Sequence, residues 1–166
     1  MKILIIPTLN EKKNIITLFR KIKRVDQKLN ILFVDDNSTD GTRDEILNLK
    51  KNNKSVYHIF RPKKLGIGSA HKDGLKYAYK KKYKTILTMD ADGTHNPKYI
   101  KNLLKFSSKY DLISTNRFKQ KNSLIEWPVQ RRFLTKVRYY LITFLLKPMV
   151  YSPPNILNRY SKSPMN

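Results

Sequence analysis

Short apolar runs alternate with longer segments of helical spacing over the first 116 residues. The runs, at residues 2–7, 31–36, 55–60, 85–90 and 111–116, are rich in Ile, Leu and Val and do not alternate strictly with polar positions. A strand exposed on one face shows a period of two, so near-continuous apolar runs of this length fit strands covered on both faces. Between them, residues 10–25 place Ile15, Leu18, Phe19 and Ile22 at helical spacing, and residues 40–49 start after a Ser-Thr-Asp-Gly turn. Residues 68–82 carry Ala70, Leu75, Ala78 and Tyr79, and residues 97–109 open on Pro97 and carry Ile100, Leu103, Leu104 and Phe106. Proline is well suited to a first helical turn, where its missing N–H costs nothing. Repeated β-α-β units predict an α/β fold: an open, mainly parallel, Rossmann-like sheet with helices on both faces and right-handed crossovers.

The pattern changes after residue 116. Residues 117–132 are polar around the single Trp127. Residues 133–150 are aromatic and apolar, interrupted by Lys136, Arg138 and Lys147, with Phe133, Leu134, Val137, Leu141, Phe144 and Leu145 at helical spacing. Two readings stay open: a core helix packed on the sheet, or an amphipathic helix resting on a membrane. Residues 151–166 contain Ser152-Pro153-Pro154 and little apolar content, and are expected to be irregular. The expected organisation is a core over residues 1–118, an amphipathic helical segment over 119–150, and an irregular tail over 151–166.

Composition narrows the function classes. A chain of 166 residues suits one domain, and the absence of cysteine excludes disulfides and thiolate metal sites. No run reaches the roughly 18 to 20 apolar residues that span a bilayer, and no signal-like pattern opens the sequence, so a cytoplasmic location is expected. The 35 Lys and Arg against 12 Asp and Glu leave a net charge of +23. Attraction to an anionic membrane and a compositional bias toward Lys, Asn and Ile both account for it. Nothing pairs the lysines with a known nucleic-acid-binding element, so no nucleic-acid partner is expected.

The chemistry gathers at the strand ends. In open α/β sheets ligands sit beyond the carboxyl ends of the strands. There the chain places Pro7-Thr8-Leu9-Asn10-Glu11, Asp35-Asp36-Asn37-Ser38-Thr39-Asp40-Gly41, Asp90-Ala91-Asp92 and Ser114-Thr115-Asn116-Arg117, four ends expected on one edge. Asp90 and Asp92, one residue apart after a buried strand, make a compact negative site that calls for a shared cation, and a hard divalent ion with a phosphate ligand fits. Asp36 stands where it could accept from nucleobase N–H groups, although the same stretch also reads as a turn and helix cap. Glu11 could accept from ribose hydroxyls or complement a helix dipole. Leu65-Gly66-Ile67-Gly68 reads as a tight turn bringing a helix close to the sheet. His95, close behind the acidic pair, reads as a residue that orients the loop, with metal ligation as the alternative.

These blocks, in this order and spacing, resemble the family 2 glycosyltransferases of GT-A fold, and within them the dolichol-phosphate mannosyltransferases and their bacterial polyprenyl-phosphate relatives. The likeness covers residues 2–118 and continues more weakly through Arg131-Arg132 to about residue 148. The resemblance implies that Pro7, Leu9, Glu11, Val34 and Asp36 line the nucleotide. It implies that Asp90, Ala91 and Asp92 hold the sugar nucleotide and its Mg²⁺ or Mn²⁺, with Asp92 the direct ligand, and that Arg117 contacts phosphate. Asp90, Asp92 and Arg117 would then carry the transfer. The implied donor is GDP-mannose or UDP-glucose, the acceptor a polyprenyl or dolichyl phosphate, and the outcome inversion at the sugar carbon. Peripheral contact at the cytoplasmic membrane face goes with such an acceptor. Leu9 stands where the family usually has Tyr, Thr94 where it often has Gln, and Asn116 where it often has Gly. Beyond about residue 149 the chain leaves the family pattern, so much of the acceptor half is not seen. The alternative is a truncated, catalytically incomplete nucleotide-sugar-binding protein or partner subunit.

Overall fold

A computed structural model describes residues 1–115, 129–130, 133–135, 137, 141 and 157–160. The chain divides into two compact units, Met1–Lys105 and Phe106–Asn166. The first unit runs β1 (Lys2–Thr8), α1 (Lys12–Val25), β2 (Asn30–Asp35), α2 (Thr42–Asn52), β3 (Val56–Phe60), α3 (Ile67–Lys80), β4 (Thr85–Thr88) and α4 (Tyr99–Phe106), the last reaching the boundary. Its four strands form a parallel sheet in the order β3-β2-β1-β4. Ile5 lies opposite Leu32 on one side and Thr88 on the other. Strand order reverses at β1, the kind of place where open α/β sheets bind ligands.

Both faces of the sheet are covered, as the unbroken apolar runs require. Leu4, Ile6, Ile31 and Phe33 face a layer containing Ile15, Leu18, Phe19 and Ile22 of α1, Ile46 of α2 and Ile100 of α4. Ile3, Ile5, Leu32 and Val34 point the other way, onto Ala70 and Ala78 of α3.

Helix α3 sits close to the sheet because its inner row is small. Ala70, Gly74 and Ala78 are all buried and four residues apart. A Cβ on Gly74 would lie 2.5 Å from Ile5 Cγ2 and 3.4 Å from Val34 Cγ2. Ile5 is fully buried and β-branched, so it cannot rotate away. The close approach read into Gly66 and Gly68 belongs instead to Gly74, since a Cβ at either earlier glycine meets nothing within 4 Å. Gly66 has its own constraint, a φ of 91° at the start of the helix. Gly74→Ala is expected to destabilise the protein by about 1–3 kcal/mol through overpacking, although alanine gains ~1 kcal/mol in helix propensity. Urea unfolding measures it, and a variant as stable as the parent would show that Ile5 has room to move.

In the second unit, β5 (Leu112–Thr115) pairs antiparallel with β6 (Leu157–Tyr160), Leu112 opposite Tyr160. Two expectations change here. Residues 111–116 do not extend the parallel sheet, and the tail expected to be irregular contains a strand. Four residues of mixed polarity carry almost no periodic signal, and it is the partner strand that satisfies their backbone groups. The described positions between 129 and 141 are helical, and Val129, Phe133, Leu134, Val137 and Leu141 are all exposed. Among the described residues no helix is long and apolar enough to cross a membrane.

Candidate functional site

At the carboxyl edge of the parallel sheet, the loops after β1 and β2 are stitched together. Asn10 N–H donates to Ser38 Oγ at 2.8 Å, and Thr39 N–H returns a bond to Asn10 Oδ1 at 2.9 Å. Glu11 N–H donates to Thr42 Oγ1 at 2.9 Å and Lys12 N–H to Asp40 Oδ2 at 3.0 Å. Asn10 and Asn37 adopt positive φ, of 57° and 68°, a conformation asparagine tolerates better than most residues. Gly41 is the N-cap of α2, and Asp40 just before it accepts the Thr42 N–H at 3.0 Å. Burial pushes the Asp40 carboxyl up, but the bonds from Thr42 and Lys12 together outweigh it and the net shift is down.

Beneath these loops lie two buried carboxylates with different surroundings. Asp35 is fully buried, accepting from Thr8 Oγ1 at 3.2 Å, Ser38 N–H at 3.0 Å and Arg43 Nε at 2.6 Å, as well as from the Ser38 hydroxyl. Asp36 is also buried. Its Oδ1 accepts from Arg61 Nη1 at 2.9 Å and Leu65 N–H at 2.8 Å, and its Oδ2 from Gly66 N–H at 2.8 Å. Arg61 further donates to Gly66 O at 3.2 Å and to Ser69 Oγ, and its Nε lies 3.3 Å from Asp73 Oδ2, an ion pair without hydrogen-bond alignment. Asp36 and Arg61 thus pin the turn before α3 to the end of β2.

The loop after β4 is built differently. Ala91 is buried, Asp90 half-buried and Asp92 exposed. His95 Nδ1 accepts the Asp90 N–H at 3.1 Å, which puts the proton of a neutral ring on Nε2. The same nitrogen lies 3.7 Å from Asp90 Oδ2, too far for a hydrogen bond. His95 therefore orients the loop, as its position suggested. Asp92 Oδ1 accepts from Thr94 N–H at 2.9 Å and Thr94 Oγ1 at 2.7 Å. Burial pushes the Asp92 carboxyl up, but the Thr94 bonds and the nearby His95 prevail and hold it below the ordinary Asp value. A cavity of about 160 Å³ behind the loop is lined by Asn14, Leu18 and Lys21 of α1 with Ala91, Gly93 and His95 among others. A larger groove of about 470 Å³, around Arg20, Lys23 and Arg24, touches none of the carboxyl-edge residues.

Of the residues read from the sequence, Pro7 is buried, and Leu9 and Glu11 are half-buried at the end of β1. Glu11 Oε2 accepts from Asn14 Nδ2 at 2.6 Å. Val34 is fully buried against α3. The parallel sheet brings the ends of β1, β2 and β4 to one edge. The fourth end, that of β5, is not in this sheet, and Arg117 lies outside the described residues. Arg61 was missed, and Thr8 was placed at its strand end without a role. The signal for Arg61 was its position directly after β3, a strand end that the sequence reading left out of its count.

A family model described as glycosyl transferase family 2 matches residues 3–163. The chain belongs to this family. It is 30% identical over 131 residues to an undecaprenyl-phosphate mannosyltransferase of Micrococcus luteus, covering 79% of this chain and 54% of that protein. It is 32% identical over 148 residues to a polyprenol monophosphomannose synthase of Mycolicibacterium smegmatis, covering 87% of this chain and 55% of that one. The chain thus spans about half the length of the curated relatives it matches. Among solved structures, S. aureus TarS 1-349 superposes with a TM-score of 0.54 at 23% identity, over 64% of this chain and 32% of that one, a likeness of fold.

Proposed function

We propose that the chain carries the donor site of a transferase that moves a hexose, mannose first among the candidates, from a nucleoside diphosphate to a polyprenyl phosphate with inversion. The observation that carries this reading is the edge where the loops of β1, β2 and β4 meet, with the Asp90 and Asp92 carboxylates open beyond it. The names of the two curated relatives support mannose and a polyprenyl phosphate as the partners.

Asp90 and Asp92 fit a hard cation, Mg²⁺ or Mn²⁺: two oxygen donors, both reachable from solvent, one held ionised by Thr94. Among the described residues no group of three acidic or His side chains gathers there, so diphosphate oxygens and water would complete the coordination. When bound, the ion supplies positive charge to the diphosphate as it leaves. Leu9, Glu11 and the loop over Asp36 would hold the base and ribose, Ala91 the sugar-nucleotide backbone, and Arg117 a phosphate. Asp36 is committed to Arg61, Leu65 and Gly66, so what it can still offer a base is the second lone pair of Oδ2. An acceptor phosphate oxygen forms a bond to the anomeric carbon as the bond to the diphosphate breaks, which inverts that carbon. The acceptor is already anionic, so no general base is required.

Calorimetry with GDP-mannose and UDP-glucose, with and without Mn²⁺, tests the donor site, and transfer of labelled sugar to a polyprenyl phosphate tests the reaction. We expect Mn²⁺-dependent binding of one donor followed by transfer. Binding without transfer would assign the chain as a nucleotide-sugar-binding protein or partner subunit. No binding of either donor would remove the reading.

A further inference from the structure

The amino edge of the parallel sheet, opposite the candidate donor site, carries a groove of its own. Helix α1 ends there at Val25, before β2 starts, and the turn after α2 enters β3 at Val56. The groove between them measures about 470 Å³, within the usual range of small-molecule sites. Arg20, Lys23 and Arg24 come from α1, Gln27 from the loop after it, and Asn53 and Ser55 from the turn before β3. Phe19, 8% exposed, adds an apolar patch. Among the described residues no Asp or Glu lines the groove.

The three cations do different work. Lys23 is spent on structure: its Nζ donates to Gln27 O at 3.1 Å, Leu29 O at 2.8 Å and Ser55 Oγ at 2.6 Å, which uses all of its N–H groups. These bonds tie the end of α1 to the turn before β3 and set the width of the groove. Arg20 and Arg24 are exposed, one helical turn apart on the same face, and neither guanidinium has an acceptor or an acid among the described residues. A cation in the last turn of a helix complements the dipole there, which accounts for Arg24. Arg20 lies before that turn and has no such reason. Asp26, the acid nearest in sequence, is engaged elsewhere: it accepts the Lys28 N–H at 3.0 Å and lies 3.8 Å from Lys2 Nζ.

The polar neighbours add donors. Ser55 Oγ accepts from Lys23, so its own proton remains to be given. Asn53 Nδ2 gives one N–H to Leu49 O at 2.7 Å and keeps the other. A phosphate offers acceptors only, and a guanidinium fork matches it two bonds at a time. An inorganic ion would leave Phe19 unused, whereas an organic phosphate lays its body on that ring. We propose that the amino-edge groove binds a small soluble organic phosphate through Arg20 and Arg24. It shares no residue with the donor edge, so it stands apart from the transferase reading.

Phenyl phosphate is the probe, titrated at fixed ionic strength without divalent metal and followed by amide NMR. Signals of Gln27, Asn53 and Ser55, and the side-chain Nε–H signals of Arg20 and Arg24, are expected to shift together. The variant R20Q/R24Q is expected to bind at least about tenfold more weakly, the scale of one charge-assisted hydrogen bond. K76Q/K80Q removes the same charge at the same spacing from α3, on the other face of the sheet. It is expected to stay within about twofold of the parent, because salt screens charges that distant. Equal losses in the two variants would assign the binding to the diffuse charge of +23 and overturn the site. Shifts confined to the loops after β1, β2 and β4 overturn it as well, since the phosphate then sits at the donor edge. Binding to phosphatidic acid vesicles without any response to phenyl phosphate overturns it in favour of a lipid surface.

Discussion

Arg61→Ala is expected to cost about 3–5 kcal/mol of stability, the usual penalty for removing one partner of a buried ion pair. Asp36 and Arg61 are both nearly inaccessible, at 6% and 3% side-chain exposure, so solvent cannot replace the lost donor. The two N–H groups of Leu65 and Gly66 would remain on the Asp36 carboxylate, with no positive charge left to balance it. The loss is comparable with the whole stability of a small domain, roughly 5–15 kcal/mol. It should appear in urea unfolding as a lower midpoint with little change in slope. The turn before α3 should also loosen, because Arg61 holds Gly66 O and Ser69 as well as Asp36. Asp36→Asn removes the other half of the pair and leaves the buried Arg61 beside Asp73 alone among the described carboxylates, so it is expected to destabilise as well. A loss below about 1 kcal/mol for Arg61→Ala would show that the pair is not what holds this turn.

Asp92→Ala is expected to act on binding and leave the fold alone. Among the described residues its carboxylate is hydrogen-bonded only within its own loop, by Thr94, and the residue is exposed. Unfolding should therefore shift by no more than about 0.5 kcal/mol. Mn²⁺-dependent affinity for the sugar nucleotide should fall by roughly a hundredfold, ~2.7 kcal/mol, in line with removing one well-placed charge-stabilising group. Binding measured with a chelator present should be the same for both proteins, because the ion would then be absent from each. Equal Mn²⁺ dependence in parent and variant would take Asp92 out of the metal site. The two substitutions separate the two kinds of acid at this edge: Asp36 holds structure, and Asp92 is free to hold a ligand.

The periodicities made the framework legible. The runs that form β1 to β4 and the spacing that forms α1 to α4 were visible because burial on two faces or on one helical stripe leaves a mark at every few residues. Element ends shifted by a few residues at most. The open acidic pair after β4 was also legible, since two carboxylates beside a buried strand can only project beyond its end. What stayed hidden depends on contacts distant in the chain. Asp36 looks like an exposed acceptor in sequence, yet its partner Arg61 lies 25 residues on and reaches it because β3 pairs with β2. β5 read as a fifth parallel strand and instead pairs with β6, whose four residues are too few to announce themselves.

By itself the sequence determined the class of fold, the strand ends where the acidic loops gather and the family to which the chain belongs. Those follow from local pattern and from short motifs whose spacing survives without any knowledge of contacts. Tertiary structure alone decided which acids are available. It buried Asp35 and Asp36 under donors and left Asp90 and Asp92 facing solvent. It also decided that α3 presses a row of small residues on the sheet and turns Leu75 and Tyr79 outward. Burial depends on which elements become neighbours, and two aspartates alike in sequence differ in chemistry once one of them has an arginine against it.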